Sequence, residues 1–145
     1  MPLEGEYEPS PWEPIATQVE QYESTGGREG GELEGQPVVI LTTRGNKTGK
    51  LRKTPLMRVE RDGRYAVIAS MGGAPQHPVW FHNLVADPIV TLQDREHVAD
   101  YHARVVEGDE KADWWRVATQ AWPSYDDYQR NTDREIPLVV LEPIE

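Results

Sequence analysis

Two uninterrupted aliphatic runs, Val38–Leu41 and Leu138–Leu141, stand out from a polar background, with shorter runs between them. Runs of this length rich in β-branched residues read as strands buried on both faces. On this pattern strands are predicted at Val38–Thr43, Thr54–Glu60, Arg64–Ser70, Ile89–Gln93, His97–Val106 and Ile136–Leu141. Asp62-Gly63 and Asp94-Arg95 supply turn chemistry between neighbours. Pro55 cannot donate to a central ladder, so the second strand belongs at an edge or a bulge. Short turns join the first three strands, which predicts an antiparallel meander.

Period-3.6 spacing marks the helices. Ile15, Val19 and Tyr22 share a face, predicting a helix near residues 12–24. Ser10-Pro11-Trp12-Glu13 has the form of a capping box, although Pro14 allows the helix to start there instead. A short helix over Val79–Val85 follows Pro78 and stops at Asp87-Pro88. Asp109 is predicted to cap a helix to Gln120, with Ala112, Trp115, Val117 and Ala118 turned inward. Ser124 is predicted to cap another short helix, with Asp127 three residues on. Residues 24–36 contain five glycines and read as a flexible linker. The expected organisation is an arm, helix and linker over residues 1–35 and a β-rich domain over residues 36–145. Six strands with peripheral helices predict an α+β, mainly β fold: an antiparallel barrel or strongly curled sheet whose closure removes exposed edges.

Composition narrows the function. The chain has 145 residues, a formal net charge of −10 and no cysteine. Disulfides and thiolate metal sites are excluded, and general nucleic-acid binding would want a broad basic face. No basic, apolar leader opens the chain and no run is long enough to span a bilayer. A cytoplasmic protein is expected, with membrane contact at most peripheral, because the acidic face of the first helix would be repelled by anionic lipid.

Against that acidity, residues 42–55 hold Arg44, Lys47, Lys50, Arg52 and Lys53 and no acid. Gly45 and Gly49 bracket Asn46-Lys47-Thr48, where backbone N–H groups and a hydroxyl can approach an anion. The stretch reads as an anion site or as a hairpin tip made soluble by its charges. It lacks the spacing of a Walker loop. Ser70-Met71-Gly72-Gly73-Ala74-Pro75 ends a strand before a helix whose N-terminus points back at the loop. Ser70 lacks a nucleophile-elbow context, so hydrogen bonding suits it better than covalent catalysis. The pairs His77/His82 and His97/His102 lack metal-site spacing, and no metal is expected. Trp114, Trp115, Trp122, Tyr125 and Tyr128 read as ordinary packing or as a wall over a flat conjugated ligand.

Three ordered segments, VILTTRGNKTGKLRKTPL (Val39–Leu56), ASMGGAPQHPVWFHN (Ala69–Asn83) and WPSYDDYQRNTDREIPLVVL (Trp122–Leu141), resemble the deazaflavin-dependent nitroreductases and F420H2-dependent quinone reductases of actinobacteria. The resemblance implies a split β-barrel like that of flavin reductases. It implies coenzyme F420, an 8-hydroxy-5-deazaflavin with a phosphate and a polyglutamate tail, and hydride transfer to quinones and adventitiously to nitroaromatics. By similarity Asn46, Lys47, Thr48, Lys50, Arg52 and Lys53 hold the phosphate and tail. Ser70, Met71, Gly72, Gly73, Ala74, Pro78, Val79 and Trp80 line the ring, and Trp122, Tyr125 and Tyr128 form the acceptor side. Tyr125, then Ser70, is expected to donate to the acceptor oxygen. Met71 and Asn46 stand where the family often carries a cation, and Trp122 stands where the nitroimidazole-activating member has tyrosine. The alternatives are an FMN-dependent barrel oxidoreductase, for which part of the cationic run would be idle, and a deazaflavin carrier without turnover.

Overall fold

The computed structural model describes residues 3, 5–33 and 35–144; parts of the predicted arm (residues 1, 2 and 4) and linker (residue 34) and the last residue lie outside them. Among the described residues eight strands form one antiparallel sheet: β1 (Glu32–Leu33), β2 (Gln36–Arg44), β3 (Leu51–Met57), β4 (Glu60–Arg61), β5 (Arg64–Ile68), β6 (Ile89–Asp94), β7 (His97–Val106) and β8 (Leu138–Pro143). Their order is β1-β2-β6-β7-β8-β5-β4, with β3 added on β2. Among the described residues four α-helices flank the sheet: α1 (Glu13–Thr25), α2 (Val79–Ala86), α3 (Gly108–Ala121) and α4 (Ser124–Arg130).

The aliphatic runs occupy the places where both faces are covered. Along β2, Val39 and Leu41 face a core shared with Val90, Leu92, Val139, Leu141 and the α2 residues Trp80 and Leu84. Val38 and Ile40 face the other way, onto Val19 and Tyr22 of α1. Along β8, Leu138 and Val140 pack against Trp114 and Ala118 of α3 and Tyr125 of α4. Two-residue alternation on a doubly covered strand leaves no polar position, which explains the continuous runs.

The predicted six-stranded closed barrel is corrected in two respects. Two further two-residue strands join the sheet, and its hydrogen-bonded ladder stays open, with β1 and β3 on β2 at one end and β4 at the other. The meander is corrected too: β3 pairs with β2, but β5 lies between β4 and β8. The chain itself crosses the opening. The Arg58 N–H donates to Pro37 O of β2 at 3.0 Å, and the next residue, Val59, accepts from the Ala66 N–H of β5 at 2.9 Å. Pro55 lies on β3, which pairs along its length with β2 and, among the described residues, meets the N-terminal segment at Leu51 alone, so the edge expected for Pro55 is found.

Helix starts differ from the capping predictions. Trp12 occupies the N-cap of α1 with Pro14 in its first turn, the later of the two starts considered. Glu107, not Asp109, precedes α3, and Pro123, not Ser124, precedes α4. On α3 the buried positions are Trp114 and Ala118, with Trp115 and Val117 partly buried and Ala112 exposed. The predicted linker is shorter than expected: α1 runs through Thr25, and Glu32–Leu33 pairs with Gln36–Pro37. Among the described residues no helix is long and apolar enough to cross a membrane.

Candidate active site

The hairpin between β2 and β3 carries the cationic stretch. Its tip is closed by Gly45 N–H to Lys50 O (2.7 Å) and Gly49 N–H to Gly45 O (2.9 Å). Gly49 has φ +75°, a left-handed conformation that glycine adopts without steric cost. Asn83 of α2, 1% exposed, aims the loop: its Oδ1 accepts from the Asn46 N–H at 3.1 Å and its Nδ2 donates to Thr43 Oγ1 at 3.2 Å. A buried amide needs such partners.

Three adjoining hollows form one trough. The first, about 280 Å³, is lined by Asn46, Lys47, Thr48, Arg52, His82 and Asn83. A middle hollow of about 210 Å³ shares Arg52 and Asn83 with it and adds Lys53 and Thr54. The third, about 470 Å³, shares Ile15, Thr54 and Trp80 with the middle one and is lined by Ser70, Met71, Pro78, Trp122, Tyr125 and Tyr128. Val79, 68% exposed, lies at the rim of all three. The trough therefore passes from ammonium, guanidinium and amide donors to an apolar, aromatic end.

Four of the five cations, all but Lys47, are already engaged among the described residues. Lys50 Nζ lies 3.4 Å from Glu6, Arg52 donates to Glu8 at 2.8 Å and Lys53 to Glu23. Arg44 lies 3.8 Å from Asp87. Glu6 and Glu8 come from the N-terminal segment, which runs parallel to β3 at Leu51, and Glu23 comes from α1. The electrostatic cost of a positive island is thus offset internally, which the reading of residues 42–55 alone did not anticipate.

At the aromatic end Tyr125 is 5% exposed, and burial, reinforced by Tyr128 beside it, pushes its phenol well above the usual tyrosine range. Its hydroxyl has no hydrogen-bond partner among the described residues, yet it is not a sealed polar atom. Tyr128 accepts from Trp122 Nε1 at 3.2 Å and packs edge-on against Tyr125, with ring centroids 6.1 Å apart. The strand-to-helix loop bends through Met71, a non-glycine at φ +48°, and Gly73 at φ +84°. A Cβ on Gly73 would lie 2.8 Å from Tyr128 O, so only glycine lets this loop meet α4 so closely.

Most of the predicted site residues are brought together. Asn46, Lys47, Thr48 and Arg52 meet at one end of the trough, and Ser70, Met71, Pro78, Val79, Trp80, Trp122, Tyr125 and Tyr128 at the other. Lys53 lies in the middle, whereas Lys50 lines none of the three hollows. Gly73 and Ala74 are absent from the lining, and with Gly72 they form the backbone of the loop that carries Ser70 and Met71. Asn83, Ile15 and Arg134 were missed as candidates. Asn83 had left a signal, a lone amide on the apolar face of α2; the other two depend on long-range packing. Among the described residues no group of three His, Asp or Glu side chains could hold a metal.

Residues 15–143 match the family model of F420H(2)-dependent quinone reductases. The chain belongs to this family. The F420H(2)-dependent quinone reductase of Mycobacterium tuberculosis is 35% identical over 124 residues, covering 83% of each chain. A solved F420-H2 dependent reductase is 50% identical, with a TM-score of 0.70 over 73% of this chain and 94% of its own. Another solved relative, described as a domain-swapped dimer, is 44% identical with a TM-score of 0.73 over 92% and 100%. Membership bears out the resemblance and makes the protein an oxidoreductase that uses coenzyme F420 and passes hydride to quinones, ahead of the FMN and carrier alternatives. The donor set fits that coenzyme: N–H, hydroxyl and cationic donors at one end suit phosphate and carboxylates, and the flat apolar end suits a ring system.

Proposed function

We propose that the trough binds coenzyme F420 lengthwise, with Asn46, Lys47, Thr48 and Arg52 on its phosphate and tail and the loop from Ser70 to Trp80 beside its ring. The observation that carries this reading is the continuity of the cationic hollow with the aromatic one through Arg52, Thr54, Val79 and Trp80. When bound, the coenzyme supplies the hydride. Trp122 and Tyr128, joined by their hydrogen bond, form the face against which a planar quinone lies, and nitroaromatics of similar shape enter as adventitious acceptors. Tyr125 donates its free hydroxyl to the acceptor oxygen as negative charge develops there, because its raised pKa keeps the phenol protonated. Ser70 Oγ, on the same lining, is the second donor. The curled sheet, with its ladder open between β3 and β4, serves as the split barrel of the resemblance. Met71 and Val79, exposed at the mouth, admit lipophilic quinones, and any contact with the inner membrane face stays peripheral.

Titration of the protein with F420, followed by coenzyme fluorescence, tests the cationic end. Replacing Lys47 and Arg52 together with alanine is expected to weaken binding by about a hundredfold at low salt, two charge-assisted contacts at about 1.5 kcal/mol each. FMN should bind the unsubstituted protein more weakly than F420. Undiminished F420 retention by the double variant would refute the assignment.

A further inference from the structure

Arg134 lies outside the trough lining, between α4 and β8, and makes no ion pair with a carboxylate among the described residues. Its guanidinium is instead spent on one loop. Nε donates to Ala74 O at 2.8 Å, Nη2 to Ser70 O at 2.7 Å and Nη1 to Ala69 O at 3.1 Å, with His77 Nδ1 2.9 Å from Nη1. Burial lowers the pKa of Arg134, and burial, then Arg134 itself, then His82 lower that of His77. Neutral His77 can accept from Arg134 at Nδ1; protonated, it could not.

The same residue is anchored on the other side. Gln129 of α4 donates through Nε2 to Arg134 O at 2.8 Å and accepts the Ile136 N–H through Oε1 at 2.9 Å. Bonds therefore run from α4, which carries Tyr125 and Tyr128, through Gln129 and Arg134 to the loop carrying Ser70 and Met71. That loop holds Met71 at φ +48°, a conformation non-glycine residues adopt only when their surroundings impose it.

We propose that Arg134 is a positioning residue for the reaction: its planar fork clamps the 69–77 loop from behind and sets the spacing between the ring-binding loop and the acceptor helix. The inference rests on the site reading above. Hydride transfer requires the reacting atoms about 3–3.5 Å apart, and a shift of about 1 Å can cost a hundredfold in rate. An ammonium cannot replace the clamp, because it lacks the fork that reaches three carbonyls and a ring nitrogen together.

Arg134→Lys keeps the charge and loses the fork; Arg134→Gln loses both. Two readings apply to each variant: hydrogen exchange of the 69–77 amides without coenzyme, and the single-turnover hydride-transfer rate with coenzyme saturating. Exchange in the loop is expected to rise at least about tenfold while β8 amides stay within about twofold. The transfer rate is expected to fall about tenfold to a hundredfold in both variants, with the lysine recovering little. A merely structural role would lower the melting temperature without slowing transfer in the saturated complex. Either reading left within about twofold of the unsubstituted protein overturns the proposal, and if Arg134→Gln does not fold, Arg134→Lys decides on the same scale. If the unsubstituted protein oxidises no reduced F420 with any quinone, the site reading falls instead, and the exchange comparison still decides whether the clamp exists.

Discussion

Tyr125 and His77 illustrate how burial chooses protonation states around the trough. Tyr125 is held as a neutral phenol throughout the physiological range by burial first and Tyr128 second. Tyr125→Phe is expected to lower the turnover number with menadione about tenfold to a hundredfold while F420 affinity stays within about twofold, since on the proposed reading the lost donor acts where charge develops. Unchanged turnover, with activity abolished by Trp122→Ala, would move the donor role elsewhere. His77 is shifted downward, so the folded protein binds fewer protons than the unfolded chain, whose histidine titrates near pH 6.5. Its contribution is therefore complete above about pH 6.5 and is lost as pH falls through that value towards the depressed folded pKa. The transfer rate should decline on this acid side as a charged His77 faces Arg134 and His82. In His77→Asn, a pH profile should show that acid limb flattened.

Among the elements, the N-terminal segment changes the meaning of the cationic hairpin. Glu8 N–H donates to Leu51 O at 2.9 Å and Leu51 N–H to Glu6 O at 2.7 Å, which seats Glu6 and Glu8 beside Lys50 and Arg52. Carboxylates of this segment occupy donors that the proposed placement assigns to the coenzyme's own carboxylates, so on that proposal binding at Arg52 displaces Glu8. Half-exposed ion pairs of this kind are worth about 0–1 kcal/mol, a cost the ligand can meet. Glu8→Gln should accordingly tighten F420 binding about two- to fivefold at low salt, with the gain fading towards 0.5 M salt as the charges are screened (about 4 Å Debye length). A fluorescence titration at both salt concentrations checks it. Equal affinity of the variant and the unsubstituted protein at low salt would mean that Glu8 and the coenzyme do not compete.

Across the whole molecule, side chains reinforce the sheet where its ladder is open. Asp94 Oδ2 of β6 accepts from Tyr65 of β5 at 2.6 Å and from Arg58, at the crossing between β3 and β4, at 2.8 Å. Tyr22 does the same for α1: its hydroxyl donates to Val38 O of β2 at 3.1 Å and accepts the Arg95 N–H of the β6–β7 turn at 2.7 Å. Ile15 on the same helix lines the trough, so α1 forms part of its wall. Tyr22→Phe leaves a buried carbonyl and a turn N–H unpaired and should destabilise the protein by about 1–3 kcal/mol in denaturant unfolding. F420 binding by the folded fraction should weaken by no more than about twofold, because the Phe ring still fills the space.

Much of this molecule was legible from one-dimensional pattern. The aliphatic runs of β2 and β8 had to be doubly buried strands, α2 and its loop followed from Gly-Gly and Pro78, and the family motifs named the coenzyme, because each is a local arrangement of residues a few positions apart. Strand order was not legible: whether β5 pairs with β3 or with β8 depends on which pairing buries both faces of residues 138–141, a contact across some 70 residues of chain. The inward face of α3 turned to Trp114 for the same reason, since neighbouring tryptophans are equally apolar until β8 is in place. The partners of Lys50, Arg52 and Lys53 were hidden too, because acids 30 to 44 residues away are invisible to a local charge count. Short-range chemistry in the sequence named the ligand; the three-dimensional fold selected which groups line the trough, because burial and pairing are properties of neighbours in space.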